Sequence, residues 1–391
     1  MRLIGKRYDN AELVELTIDG DRVARTKPLP AANGAADAPW VAPGFVDIQA
    51  NGYGGQEFSA LEITPEAVAR IVRQHYAFGV TGFCPTLTTQ SFEVLAHGMR
   101  MIAEATRRWD DVRRAVWGIH LEGPYFSKED GARGAHPVEH CRRPDWDEFQ
   151  RLQEAAGGLI AILTMSPEFD DAPEFISRAT AAGVTIAIGH TGANSAQIKA
   201  AVDAGARLST HLGNGAHRIL RRHPNYLWDQ MAEDRLVASL IVDGHHLPPE
   251  VVKSIVRAKT PERCILVSDV SGLAGLPAGR YTSSGCELEI LADGRLVIAG
   301  QDQLLAGASL PIGTGVANVM RFAGVDLRTA VDMASLHPAR LLRRTCGGLR
   351  PGDPADLVLF RHVDGPMPRI DVVTTVLGGQ TVFHVEPSVA A

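Results

Sequence analysis

Apolar and polar positions alternate with period two at both ends of this chain and give way to a strand–helix rhythm between them. Leu13-Val14-Glu15-Leu16-Thr17-Ile18 alternates, Asp19-Gly20-Asp21 reads as a turn, and a second strand is expected after it. Towards the other end 356–360, 372–377 and 381–383 read as strands, with Gly378-Gly379 turning between the last two. In the middle, eight short apolar runs are expected as strands, at 45–50, 81–85, 116–122, 159–165, 184–190, 207–211, 237–242 and 264–269. Helix-period stretches at 65–78, 92–107, 146–156, 173–182, 196–204 and 249–258 separate most of them. Eight strands alternating with helices predict an α/β fold of the (β/α)8 barrel type rather than a doubly wound sheet. A hairpin at 287–298 and helices at 313–322, 327–334 and 338–344 are expected next, and the Pro/Ala/Gly-rich stretch Pro28–Pro43 reads as a linker. The expected organisation is a small β domain built from 1–42 and 350–391, with the barrel at 43–349.

Composition narrows the picture. The 391 residues suffice for a barrel of about 250 residues plus a smaller domain. A hydrophobic content of 45% supports a large core. The net charge of −6, with no basic stripe, argues against nucleic acid as partner, so any cationic pocket must be local. The five cysteines form no CxxC pair, and Cys84 and Cys264 read as small buried side chains. The start, Met1-Arg2-Leu3-Ile4-Gly5-Lys6, lacks a signal-type apolar run. No apolar stretch of about 18 residues is present to cross a bilayer. The expectation is a cytoplasmic protein with no membrane partner.

Candidate chemistry sits at strand ends. Glu122, His190, His211 and Asp269 each close an apolar run, at expected strands three, five, six and eight. Each alone reads more readily as a hydrogen-bonded core or loop side chain. Four in register at the carboxyl face of a barrel point to one site. Two imidazoles and a carboxylate suit a catalytic divalent ion that keeps a position open for water. Asp269 is then free to act as general base towards water and general acid towards a leaving amine. Gln49 and Asn51 share one face of expected strand one, at a spot where many metal-dependent barrel hydrolases carry a His-x-His pair that binds a second ion. Neutral amides are weaker ligands, so one ion is expected, zinc first, with iron or another divalent ion fitting the same set. The two amides are expected to line the floor or bond water there.

Together these motifs resemble the amidohydrolase superfamily and, within it, the N-acetylglucosamine-6-phosphate deacetylase family. The resemblance rests on Pro43-Gly44-Phe45-Val46-Asp47-Ile48-Gln49, His120-Leu121-Glu122-Gly123-Pro124, Gly134-Ala135-His136-Pro137, Gly189-His190-Thr191 and Thr210-His211-Leu212 with Asn214. It continues through Asp243-Gly244-His245-His246, Leu266-Val267-Ser268-Asp269, Leu305-Ala306-Gly307 and Pro351-Gly352-Asp353-Pro354-Ala355-Asp356-Leu357. It implies Glu122, His190 and His211 as metal ligands, Asp269 as acid/base, and His136 as the residue contacting the sugar and its carbonyl. It also implies substrate contacts from Asn214, Gly215, Arg222, His246, Ala306 and Gly307, and a homodimer in which a neighbour lends part of a phosphate site. One segment departs from the family pattern of an aromatic before the asparagine and Ala-Met after it. Here it reads Gly213-Asn214-Gly215-Ala216-His217, followed by the basic run Arg218, Arg221, Arg222 and His223. Deacetylation of an N-acetylated amino sugar, with the 6-phosphate first, is the expected activity. Another N-acyl sugar or a cyclic amide remains an alternative substrate. A non-catalytic sugar binder is a third reading, against which an intact proton-shuttling carboxylate speaks. His120 is expected to be a core histidine or a partner of the ligands, and at most one of His245 and His246 is expected to reach the pocket.

Overall fold

The computed structural model describes residues 1–30, 37–283, 286–300, 305–365 and 368–385. Its centre is a sheet of eight parallel strands in sequential order: Phe45–Ala50, Val80–Thr88, Ile119–Glu122, Ile160–Met165, Thr185–Ile188, Leu208–Ser209, Val237–Ile241 and Cys264–Val267. We number these barrel strands one to eight. The chain after strand eight closes the ring against strand one. Asp269 donates its amide to Gln49 O at 2.9 Å, and Asn51 donates to Val270 O at 2.8 Å. Val46, Ile48, Cys84, Ile162, Ala187, Leu208, Ile241 and Ile265 fill the interior.

Helices cover the outside where the sequence marks their starts. Thr64 caps Pro65–His75 by accepting from Ala67 N, and Ser91 caps Phe92–Arg108. Asn194 and Gln197 form a reciprocal capping box at the start of Ser195–Ala204. Two helices lie where none is expected, Asp110–Ala115 and Tyr226–Ala232. The second begins at Asn225, whose side chain accepts from Leu227 N and Trp228 N. That cap is legible in the sequence but is masked by the basic run before it.

The terminal strands form one seven-stranded sheet, ordered Gln380–His384, Arg369–Leu377, Leu357–Val363, Trp40–Pro43, Arg2–Arg7, Leu13–Asp19 and Arg22–Pro28. The alternation read at 13–18 buries Val14, Leu16 and Ile18 against Val41, Leu357, Leu359 and Val376. Trp40–Pro43 corrects the expected linker. It pairs in parallel with the first strand and antiparallel with Leu357–Val363, so it joins the two ends of the chain. Residues 31–36 of that stretch lie outside the described residues. The expected hairpin is part of a three-stranded antiparallel sheet, Gly279–Ser283, Cys286–Ile290 and Leu296–Ile298. Among the described residues no helix is long and apolar enough to cross a membrane.

Candidate active site

Glu122 ends barrel strand three. His190, His211 and Asp269 each lie two residues past the end of strands five, six and eight. These three adopt positive φ, at 51°, 29° and 51°, and make up half of the six described non-glycine residues that do so. An L-residue in the left-handed region costs on the order of 1–3 kcal/mol, so strain concentrates where the chain turns functional side chains towards the barrel axis. Residue type alone carries no signal for this.

The four expected side chains meet. His211 Nε2 lies 3.0 Å and His190 Nε2 3.4 Å from Glu122 Oε1. The two imidazole nitrogens are 3.2 Å apart, and His136 Nε2 is 3.2 Å from His190 Nε2. Ligand atoms around a tetrahedral ion with bonds of about 2.0 Å stand about 3.3 Å apart. The cluster therefore has the donor types and spacing that a divalent ion requires. His190 Nδ1 faces Ala132 O at 3.1 Å, which puts its proton there and turns its Nε2 lone pair inward. The donor atoms of Glu122, His136 and His190 all lie within 4.8 Å of one another. His136 thus enters the cluster itself, so two three-residue ligand sets are available around Glu122 and His190.

Electrostatics separate the two carboxylates. Burial opposes ionisation of Glu122, but the bonds from His190 and His211 outweigh it and hold Glu122 well below the usual range. Burial, with the charge of Glu122, pushes Asp269 up to about 7. His136 is pushed down to about 3 by burial and by His190, so it acts as an uncharged ring. Asn51 Nδ2 donates to Asp269 Oδ1 at 3.0 Å, and Gln49 Nε2 donates to Glu122 Oε1 at 2.9 Å. The two amides thus grip the carboxylates rather than sharing one floor. Asn51 still lines the cavity, and its buried Oδ1 has no partner among the described residues. Gln49 stands behind Glu122, outside the cavity lining.

A cavity of about 750 Å³ opens over the cluster, lined among others by His136, Asn214, Gly215, His246, Ala306 and Gly307, all expected from the sequence. Arg222 is exposed and lies outside it, whereas Arg218 and Arg295 line it. Both His245 and His246 reach the cavity, contrary to strand alternation. Strand seven ends at Ile241, and Gly244 turns the chain at φ 89°, so the period of two no longer applies. Asp243 then fixes this turn by accepting from the amides of both histidines and from His246 Nδ1 at 2.7 Å. His120 is a satisfied core histidine, bonded to Ile48 O and Thr164 Oγ1. Arg295 went unseen because nothing in its surroundings tells that the 286–298 hairpin folds over the barrel mouth.

Known proteins are similar to this chain in sequence and fold. The amidohydrolase family model matches residues 40–382. The chain is 34% identical to N-acetylglucosamine-6-phosphate deacetylase of Bos taurus over 357 residues, covering 88% of this chain and 84% of that one. It is 30% identical over 346 residues to N-acetylgalactosamine-6-phosphate deacetylase of Escherichia coli O157:H7, covering 88% and 89%. The crystal structure of N-acetyl-D-glucosamine-6-phosphate deacetylase from Mycobacterium smegmatis is similar at a TM-score of 0.86 and 33% identity, covering 98% of this chain and 100% of that one. With the barrel, the cluster at its mouth and these similarities together, the chain belongs to the amidohydrolase family and, within it, to the N-acetylglucosamine-6-phosphate deacetylase family.

Proposed function

We propose that this chain hydrolyses the acetamide of an N-acetylated hexosamine 6-phosphate, releasing acetate and the free amino sugar phosphate. The observation that carries this reading is the Glu122–His190–His211 cluster, its donor atoms 3.0–3.4 Å apart, beside a separate buried carboxyl, Asp269, at the mouth of a barrel of this family. Glu122, His190 and His211 would hold one divalent ion, with zinc first. When bound, such an ion supplies positive charge that polarises a carbonyl and acidifies water. Asp269, as carboxylate, takes a proton from the attacking water as its oxygen bonds to the acetyl carbon. It returns that proton to the nitrogen as the C–N bond breaks. Asn51 orients Asp269 by donating from its Nδ2 to Asp269 Oδ1. His136, kept uncharged, can donate to the acetyl oxygen.

The phosphate end would lie along 213–216, where Gly213 and Gly215 take φ of 102° and 57° and the segment lines the cavity, with Arg218 and His246 beside it. Arg222 fits a site lent to a neighbouring subunit, which makes a homodimer part of the proposal. A monomer by light scattering would remove it. The terminal sheet, 1–42 with 350–391, is proposed as a unit distinct from 43–349 because it has its own apolar cluster. Native-state hydrogen exchange should then show it opening separately.

The test is a panel of N-acetylglucosamine and N-acetylgalactosamine, each with and without the 6-phosphate, assayed for acetate release. The phosphorylated sugars should lead in kcat/KM by about 100-fold, equivalent to about 2.7 kcal/mol of charge-assisted recognition. Equal rates with and without phosphate would overturn the anionic half of the reading. The relative from Escherichia coli O157:H7 makes the galactosamine epimer the specific second candidate.

A pH dependence follows from Asp269. Only the carboxylate can take a proton, so kcat/KM should fall about tenfold per unit on the acid side of its pKa. That value is about 7 without an ion, and a bound cation lowers it. The acid limb of the loaded enzyme should therefore lie below pH 7. A flat profile down to about pH 4 would remove Asp269 from the base role.

A further inference from the structure

The side chains of Glu129, His217 and Tyr226 meet above the cluster without belonging to it. His217 Nε2 is 2.7 Å from Glu129 Oε2, and its Nδ1 is 2.9 Å from the hydroxyl of Tyr226. The His217 amide also donates to that hydroxyl at 2.8 Å. Tyr226 oxygen is thus occupied as an acceptor and turns its proton to His217 Nδ1. The ring is left with Nε2–H to give to Glu129. Tyr226 is buried at the first turn of its helix, so one end of this chain of bonds is anchored in the barrel wall.

The other end holds a short turn. Arg133 N bonds Glu129 O, and Gly134 N bonds Gly131 O, so backbone bonds close 129–134 into one compact turn. This turn carries Ala132, whose carbonyl takes the His190 Nδ1 proton. The fit is close on every side. A Cβ on Gly131 would stand 2.9 Å from His217 Cα, and one on Gly215 would stand 2.7 Å from His190 Nδ1. The His190 ring is therefore packed between the turn and the 213–217 segment, and the Glu129–His217 contact ties those two pieces together.

We propose that Glu129, His217 and Tyr226 form a clamp that holds Ala132 O against His190, making all three positioning residues for the cluster. The clamp rests on the reading of His190 as a ligand. Its effect passes through the orientation and tautomer of one imidazole. Because Glu129 is 68% exposed, its contact with His217 adds little to global stability. Its effect belongs in ion affinity and in the protonation pattern of His190.

The test uses the full chain stripped of metal, with Zn2+ as the probe in competition with a chromophoric chelator. Glu129→Ala, His217→Ala and Tyr226→Phe should each weaken Zn2+ binding by about tenfold, the usual size for partners outside the ligands. The Glu129→Ala/His217→Ala double variant should lose no more than either single one, because both break the same tie. Glu129→Gln, whose amide oxygen still accepts from Nε2–H, should stay within about twofold of the parent. In 15N-histidine spectra of the metal-free protein, His190 should lose its protonated-Nδ1 signature in Glu129→Ala and keep it in Glu129→Gln. Additive losses, or an unchanged affinity and spectrum in Glu129→Ala, would overturn the clamp. A parent chain that binds no Zn2+ would instead overturn the ligand reading, so the two failures are distinguishable.

Discussion

Replacing Asp269 by asparagine is expected to lower kcat by on the order of 10³-fold while ion content and KM stay near the parent values. The amide keeps the shape and can still meet Asn51, but it has no proton to take or return. The same substitution should raise the thermal midpoint of the metal-free protein by about a few degrees. The sign follows from burial and the charge of Glu122, which push the Asp269 carboxyl up to about 7. An aspartate whose folded value lies above its unfolded value resists ionisation in the fold. Its contribution to stability declines as pH rises from about 4 through 7, and the cost is complete above that. Asparagine removes the cost, so the gain should appear at about pH 8 and vanish at about pH 4. Turnover within tenfold of the parent would sink the proton-shuttle role, whatever happens to the midpoint.

His211→Ala should empty the site, whereas His136→Ala should leave it filled yet slow. With His211 removed, Glu122 keeps one imidazole of the proposed set, and Zn2+ affinity should fall by at least about 100-fold, with turnover lost in proportion. With His136 removed, Glu122, His190 and His211 still stand 3.0–3.4 Å apart. About one ion per chain should remain, and kcat should drop by about 100-fold for loss of a hydrogen bond to the reacting carbonyl. Metal analysis beside steady-state kinetics reads both. The reverse pattern would move the ligand set to Glu122, His136 and His190, which the geometry also permits. Two ions per parent chain would contradict the reading of Gln49 and Asn51, whose amide groups are engaged with Glu122 and Asp269.

Much of this site was legible because a barrel imposes a rule on its sequence. Each strand is a short apolar run, and the residue that ends it lies at one face of the ring. Glu122 ends its strand and His190, His211 and Asp269 follow theirs by two residues, so all four fall at that face, and the matching motifs carried His136, Asn214 and His246 with them. Reading failed where a local rule stopped applying. The period of two misplaced His245 because the chain leaves strand seven at Ile241, and a glycine then resets its direction. Within the basic run at 218–223, Arg218 lines this chain's own cavity and Arg222 does not, which is why Arg222 is proposed only as a contact with a neighbouring subunit. One sequence neighbourhood cannot tell which cation of a loop turns inward.

The sequence by itself determined the period-two ends, the eight-strand rhythm and the placing of Glu122, His190, His211 and Asp269 at or just past strand ends, since all of these follow from chemistry within a few residues. Only the tertiary structure decided that Trp40–Pro43 joins the two termini in one sheet, that the 286–298 hairpin covers the mouth, and that His136 stands 3.2 Å from His190. Those outcomes depend on contacts between segments tens to hundreds of residues apart. Their free energy is shared by both partners, and neither partner's own sequence records it.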